Sequence, residues 1–210
     1  MTPPAAEYVR RTRNPWGEGE RLRTEILEAA SSLLSELGGE AGLSIRGVAR
    51  ATGVAPGSIY QHFRDLNALA DGLHEYECER LLALLERAGD AADQAGPVER
   101  LRAQLVAYCD FALANPGHYR ILFRRPNARR PPSADPMTTP LGRVVSLFVA
   151  GFERCRDAGL GVRLSSRDAG VMVFSSIHGR VAIHLGYGVG EIREQLPRSV
   201  DQLLALLVEA

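Results

Sequence analysis

Residues 44–63 read SIRGVARATGVAPGSIYQHF, and the order of side chains there specifies two short helices joined by a glycine turn. Ser44 is a residue type that caps a helix by accepting from the free N–H groups of its first turn. Ile45, Val48 and Ala49 follow on one helical face, and Ala51, Thr52 and Gly53 end the run, with Gly53 suited to a left-handed backbone. Val54 is placed to plug the turn. Pro56 fits the first turn of a second helix, where its missing N–H costs nothing, and Ile59 and Phe63 stand four apart on the inward face. Ser58, Tyr60, Gln61 and His62 are left facing outward.

Helices joined in this way hold the second one out from the body, an arrangement suited to entering a DNA groove. Leu43-Ser44-Ile45-Arg46-Gly47-Val48-Ala49, Gly53-Val54 and Gly57-Ser58-Ile59-Tyr60-Gln61-His62-Phe63 resemble the helix-turn-helix of the tetracycline-repressor (TetR) family, whose members share Leu-Ser-x-Arg-x-Val-Ala, Gly-Val and Gly-x-Ile-Tyr-x-His-Phe. A match of this length and spacing is far more specific than one short motif.

Composition sets the outer limits. A chain of 210 residues, 45% of them apolar, can bury a sizeable core as one large domain or two small ones. Its 25 basic and 25 acidic residues cancel, so a nucleic-acid partner must be argued from local charge. Residues 41–64 hold Arg46, Arg50 and Arg64 with no Asp or Glu, and Arg10, Arg11 and Arg13 cluster near the start. All 25 basic residues are arginine, which excludes a lysine Schiff base or lysine general base. Cys78, Cys109 and Cys155 are widely spaced among apolar neighbours and read as buried thiols. The first twenty residues lack an apolar core of signal-peptide length, so a cytoplasmic protein is expected. Residues 169–189 form the most apolar long run, but His178, Arg180 and His184 interrupt it. Because an arginine at mid-bilayer costs about 2.5 kcal/mol or more, the run is a buried helix and no membrane partner is expected.

The fold class is all-α. Residues 1–19 read as a flexible basic arm, 20–65 as a three-helix DNA-binding domain containing the helix-turn-helix, and 66–210 as a helical ligand-binding and dimerisation domain. Leu22, Ile26, Ala30, Leu33, Leu34 and Leu37 mark the first helix, stopped by Gly38 and Gly39. Asp65 is placed to cap a long helix through Leu66, Leu69, Leu73 and Tyr76 to about Ala88. Pro97 opens a helix closed by Asn115-Pro116-Gly117, and a short helix covers about His118 to Phe123. Residues 124–137 read as an exposed loop whose arginines are solvated. Helices follow from Thr139-Pro140 to Gly159, from Ser165 to about Gly186, and from about Pro197 onward. The apolar surface of the last two, with Val200, Leu203, Leu204, Leu206 and Leu207, exceeds what one neighbour covers and points to a homodimer interface.

A weaker likeness extends further. Asn115-Pro116-x-x-Tyr119-Arg120-x-Leu122-Phe123 and Ile177-His178-Gly179 are similar to the WHG type of TetR C-terminal domain, marked by Trp-x-x-x-His-Gly, with Phe174 in the place of tryptophan. The resemblance implies a homodimer on a pseudo-palindromic double-stranded operator and an unknown small-molecule effector. It implies Ala55, Pro56, Gly57, Ser58 and Gln61 nearest the base edges, phosphate roles for Ser44, Thr52, Tyr60 and His62, and Arg46 on a phosphate or base. Gln61 is the side chain there able to pair bidentately, a geometry that favours adenine. Leu66 stands where the family often has a basic residue, and Arg64 is the candidate replacement. An effector cavity is expected among Tyr108, Phe111, Tyr119, Phe123, Phe148, Phe152, Met172 and Phe174, with His178 as a polar contact. Filling it would swing the helix that begins at Asp65.

Little supports an enzyme. The five histidines form no metal-ligand spacing apart from His74-x-x-x-Cys78, Gly186-x-Gly188-x-Gly190 follows a helix and lacks a phosphate-loop pattern, and no serine-nucleophile motif occurs. No metal or cofactor is expected. The competing reading is a helical interaction protein that pairs through its C-terminal helices and has lost DNA binding.

Overall fold

Ser44 accepts a hydrogen bond from the Gly47 N–H at 3.1 Å, and Gly53, at φ 73°, closes the helix it opens. The decisive stretch thus folds as its spacing predicts. In a computed structural model, which describes residues 18–124, 135–188 and 192–209, it forms α2 (Ile45–Thr52) and α3 (Pro56–His62), preceded by α1 (Glu18–Leu37). Then come α4 (Leu66–Ala92), α5 (Pro97–Ala114), α6 (Pro116–Leu122), α7 (Pro140–Asp157), α8 (Ser166–Tyr187) and α9 (Ile192–Leu207). Asp65 caps α4 by accepting from the Ala68 N–H at 2.7 Å, and Ser165 caps α8 by accepting from that of Asp168 at 3.1 Å.

The apolar residues gather into two cores. One, the head, joins Ile26 and Leu34 of α1, Val48 of α2, Ile59 of α3 and Phe63 to Leu69 and Leu73 of α4, with Val54 packed against it. The other, the body, joins Leu81 and Leu85 of α4 to Leu101, Leu105, Phe148, Phe152, Ile177 and Val200. Helix α4 runs through both. Helix α6 divides itself between them: Ile121 lies in the head, while Tyr119 and Leu122 lie in the body.

The all-α expectation holds apart from a two-residue antiparallel ladder, β1 (Gly161–Val162) with β2 (Val208–Glu209), which ties the end of the chain to the α7–α8 connection. Several boundaries move. Helix α4 continues a turn past Ala88, and α6 begins at Pro116 rather than His118. Helix α9 begins at Ile192, so Pro197 sits inside it, where the missing N–H leaves the Arg193 carbonyl without its helical donor. Gly188, at φ 65°, ends α8 in place of Gly186. Arg124, expected in a solvated loop, is instead drawn inward by Asp71, by Asn67 at 3.1 Å and by Glu40 at 2.8 Å. Nearby, Arg120 donates to the Gly38 carbonyl at 2.6 Å. The expected arm lies outside the described residues except for the start of α1, as do residues 125–134 and Gly190. Among the described residues no helix is long and apolar enough to cross a membrane, and Cys78, Cys109 and Cys155 are buried and unpaired.

Candidate functional site

Helix α3 owes its orientation to two side chains, Ile59 and Phe63, both buried in the head. With that face fixed, the 3.6-residue turn sends the others out. Tyr60 is 54% exposed, and Ala55, Pro56, Gly57 and Gln61 are exposed with it, while Ser58 and His62 are half-buried. A Cβ built on Gly57 would meet nothing within 4 Å, so the front of α3 is open. Arg46 on α2 and Arg64 after α3 are exposed on either side. Arg64 has Asp65 at 3.4 Å, and both are well exposed, so water screens the pair and leaves the guanidinium available. Two hydroxyls are already engaged. Ser44 accepts from Gly47, which leaves its proton free, whereas Thr52 donates its proton to the Val48 carbonyl at 2.8 Å.

In the body, Tyr108, Tyr119, Phe123, Phe148, Phe174 and His178 lie together in one group of rings. His178 stacks on Phe174 with ring planes 10° apart and lies 4.0 Å from the Phe123 centroid. The hydroxyls of Tyr119 and Tyr108 approach its Nδ1 at 2.7 and 3.2 Å. Burial lowers the His178 pKa, because desolvation disfavours the imidazolium; it raises both tyrosines by disfavouring phenolate. Phe152 is fully buried, without a ring partner in this group. Two expected members lie elsewhere. Met172 is 46% exposed on α8, since Val173, Phe174 and Ile177 take that helix's inward face. Phe111 turns to a separate cleft against α4.

A family model described as "Tetracyclin repressor-like, C-terminal domain" matches residues 101–210, and one described as "Bacterial regulatory proteins, tetR family" matches residues 26–73. The chain belongs to the TetR family. Among solved structures, a protein of unknown function from Rhodococcus sp. RHA1 is similar over 97% of this chain and 100% of its own, at 26% identity and TM-score 0.72. A putative TetR-family transcriptional regulator from Vibrio parahaemolyticus is similar over 90% and 100%, at 21% identity and TM-score 0.67. SmeT, the repressor of the Stenotrophomonas maltophilia multidrug efflux pump SmeDEF, shares the fold over 97% and 93%, at 19% identity and TM-score 0.63.

This TetR-family chain also carries a polar junction that its sequence did not announce. Glu77 of α4 is 0% exposed and takes hydrogen bonds from Arg80 Nη1 on both oxygens, at 3.1 and 3.3 Å. The same nitrogen donates to Ser31 Oγ of α1 at 2.7 Å, and Ser31 lies 3.2 Å from His118 Nε2 of α6. Three helices therefore meet in one chain of polar contacts, with Ser31 between Arg80 and His118. One signal was readable: Glu77 stands four residues from both Leu73 and Leu81, in the apolar stripe of its helix. The contacts of Ser31, with Arg80 49 residues away along the chain and His118 87 residues away, were not. His74 and Cys78 do share a face, with Nε2 and Sγ 3.6 Å apart, but Nε2 also faces the Leu122 carbonyl at 3.2 Å. Burial lifts the Cys78 thiol to about 12, far from a metal-binding thiolate, and no metal-holding cluster occurs among the described residues.

Proposed function

We propose that this TetR-family regulator is a cytoplasmic repressor that binds a pseudo-palindromic operator as a homodimer and is released by a small molecule. The observation that carries the reading is the open front of α3: Gln61, Tyr60 and Gly57 exposed on a helix whose opposite side is locked into the head, with Arg46 and Arg64 beside it and no acidic residue between 41 and 64. On this reading Ala55, Pro56, Gly57, Ser58 and Gln61 face base edges and Ser44, Arg46, Tyr60, His62 and Arg64 hold the backbone. Thr52 must release Val48 before it can donate to a phosphate. On the same reading, residues 20–65 read DNA and 66–210 sense and dimerise.

Dimerisation is assigned to α8 and α9. Val171, Met172, Ile183 and Leu206 are exposed, and Ser175 and Gly179 lie between the first three on the same side of α8. Small residues there allow a second helix to approach closely, and the apolar ones supply area to bury. The aromatic group around His178 is the candidate effector seat. Tyr119 links it to α6, and α6 to the head through Ile121, so an effector that binds two arrangements of α6 unequally would change head spacing.

Selection of random duplexes by the full chain, followed by titration at two salt concentrations, tests this reading. A recovered inverted repeat whose affinity falls steeply with salt supports it, since each neutralised phosphate lowers log K against log salt by about 0.9. Failure to enrich any sequence favours the interaction-protein alternative.

A further inference from the structure

Arg80, Leu84 and Arg87 stand at steps of four and three residues along α4, and so share one face of that helix. With Phe111 of α5 and His118 of α6 they line a cleft of about 250 Å³, near the lower end of ligand pockets, which run from ~300 to 1,000 Å³.

The wall of this cleft is short of an anion. Arg80 makes its hydrogen bonds to Glu77 and Ser31 through Nη1 alone, which leaves Nε and Nη2 without hydrogen-bond partners among the described residues. Arg87 has no ion-pair partner among them. Glu77 balances Arg80, so the wall carries the one excess positive charge of Arg87. His118 adds a buried ring nitrogen. Ser31 accepts from Arg80 and lies 3.2 Å from His118 Nε2, which also has Glu77 Oε1 at 3.9 Å; where Ser31 gives its proton to that nitrogen, the ring proton sits on Nδ1. Nδ1 is buried and has no hydrogen-bond partner among the described residues, on a residue only 6% exposed. A buried polar atom left without a partner is costly enough to be exceptional in folded proteins.

We propose that the cleft binds a small organic carboxylate, its oxygens held by Arg87, the free edge of Arg80 and the Nδ1–H of His118, and its apolar body against Phe111 and Leu84. The guanidinium fork matches a planar carboxylate, and one negative charge matches the excess of the wall where a phosphate dianion would overshoot it. The proposal rests on the reading of the protein as ligand-responsive, to which it adds a ligand class and a seat apart from the aromatic group. Because Arg80 also holds Ser31 of α1, the ligand and the head share one side chain, and filling the cleft changes operator affinity.

Calorimetric titration of the full chain with benzoate, phenylacetate and octanoate, against benzamide as the uncharged counterpart and phenyl phosphate as the dianion, tests the proposal. At least one carboxylate should bind saturably and benzamide should not. Arg87→Gln, an exposed change, should weaken that carboxylate by about ten- to a hundredfold, and Phe111→Ala should weaken it through the apolar wall. The proposal is overturned if no carboxylate saturates, if benzamide binds as well as benzoate, if phenyl phosphate is preferred, or if Arg87→Gln changes nothing. Operator binding measured in parallel separates the two readings. Sequence-specific DNA binding with no carboxylate binding removes the cleft alone. Arg87-dependent carboxylate binding with no sequence-specific DNA binding keeps the cleft and removes the repressor.

Discussion

Gly117 of α6 lies so close to the main chain of α1 that a Cβ on it would stand 2.3 Å from the Leu34 carbonyl oxygen. Backbone cannot move aside as a flexible side chain can. Gly117→Ala should therefore lever α6 away from α1 and cost about 2 kcal/mol, in the range of an overpacked core. A urea-unfolding midpoint unchanged within error would show that α6 does not dock this tightly.

Gln104 is fully buried beside Gly89, where a Cβ would lie 2.6 Å from its Nε2, and neither amide atom has a hydrogen-bond partner among the described residues. Replacing an unsatisfied buried amide with an apolar group of similar length removes the desolvation cost without losing a bond. Gln104→Leu is expected to stabilise the protein by about 1–2 kcal/mol. A destabilised variant in thermal denaturation would mean that the amide has a role this packing does not reveal.

His178 and His74 both have pKa values pushed below the usual 6.5, in each case chiefly by burial. The unfolded chain then binds more protons than the folded one in mildly acid solution, so stability rises with pH there. The contribution is fully present above the unfolded value near 6.5 and is lost as pH falls through the lower folded values. Urea midpoints measured from pH 7.5 downward should decline once pH passes below that value. His178→Gln, which keeps an acceptor for the tyrosine hydroxyls but does not titrate, should flatten part of the decline.

Gln61 and Tyr60 are adjacent and exposed, but on the proposed reading they do different work. Gln61→Ala should relax base preference at one or two positions of each half-site by about 1–3 kcal/mol, while Tyr60→Phe should weaken all duplexes alike. Binding of a set of single-base operator variants checks this, and equal losses on every sequence from both changes would erase the distinction.

Ile183 is 56% exposed near the C-terminal end of α8. Ile183→Arg would place a charge in the proposed dimer interface, where it is buried and unpaired. Sedimentation equilibrium should show a shift toward monomer, and operator affinity should fall with it. A variant that remains dimeric would move the interface away from this face.

The head was legible because its signals are local. Ser44, Gly53, Pro56 and Asp65 act within four residues of themselves, and Ile59 with Phe63 fixes which face of α3 turns outward. The ends of α6 and α9 were less so, because Pro116 and Pro197 each mark a start that the chain can place elsewhere: tertiary packing extends α9 backward over its proline at the loss of one hydrogen bond. Long-range polar contacts were not legible. Ser31 looks like any surface serine of an amphipathic helix until Arg80 and His118 reach it from other helices. Which residues of α8 join the aromatic group was legible only in part for a similar reason: Met172 and Phe174 are two residues apart, and on a helix that spacing sends them to different sides.

The division of α6 between two cores has a practical consequence for anyone wishing to graft this DNA reader onto another sensor. A cut after Asp65, where the sequence changes character, would leave a hole where Ile121 had been and strand the carbonyl of Gly38 that Arg120 reaches. The transplantable unit is thus not a continuous stretch of chain, and a working chimera must carry the counterpart of α6 along with the head or rebuild it in the recipient.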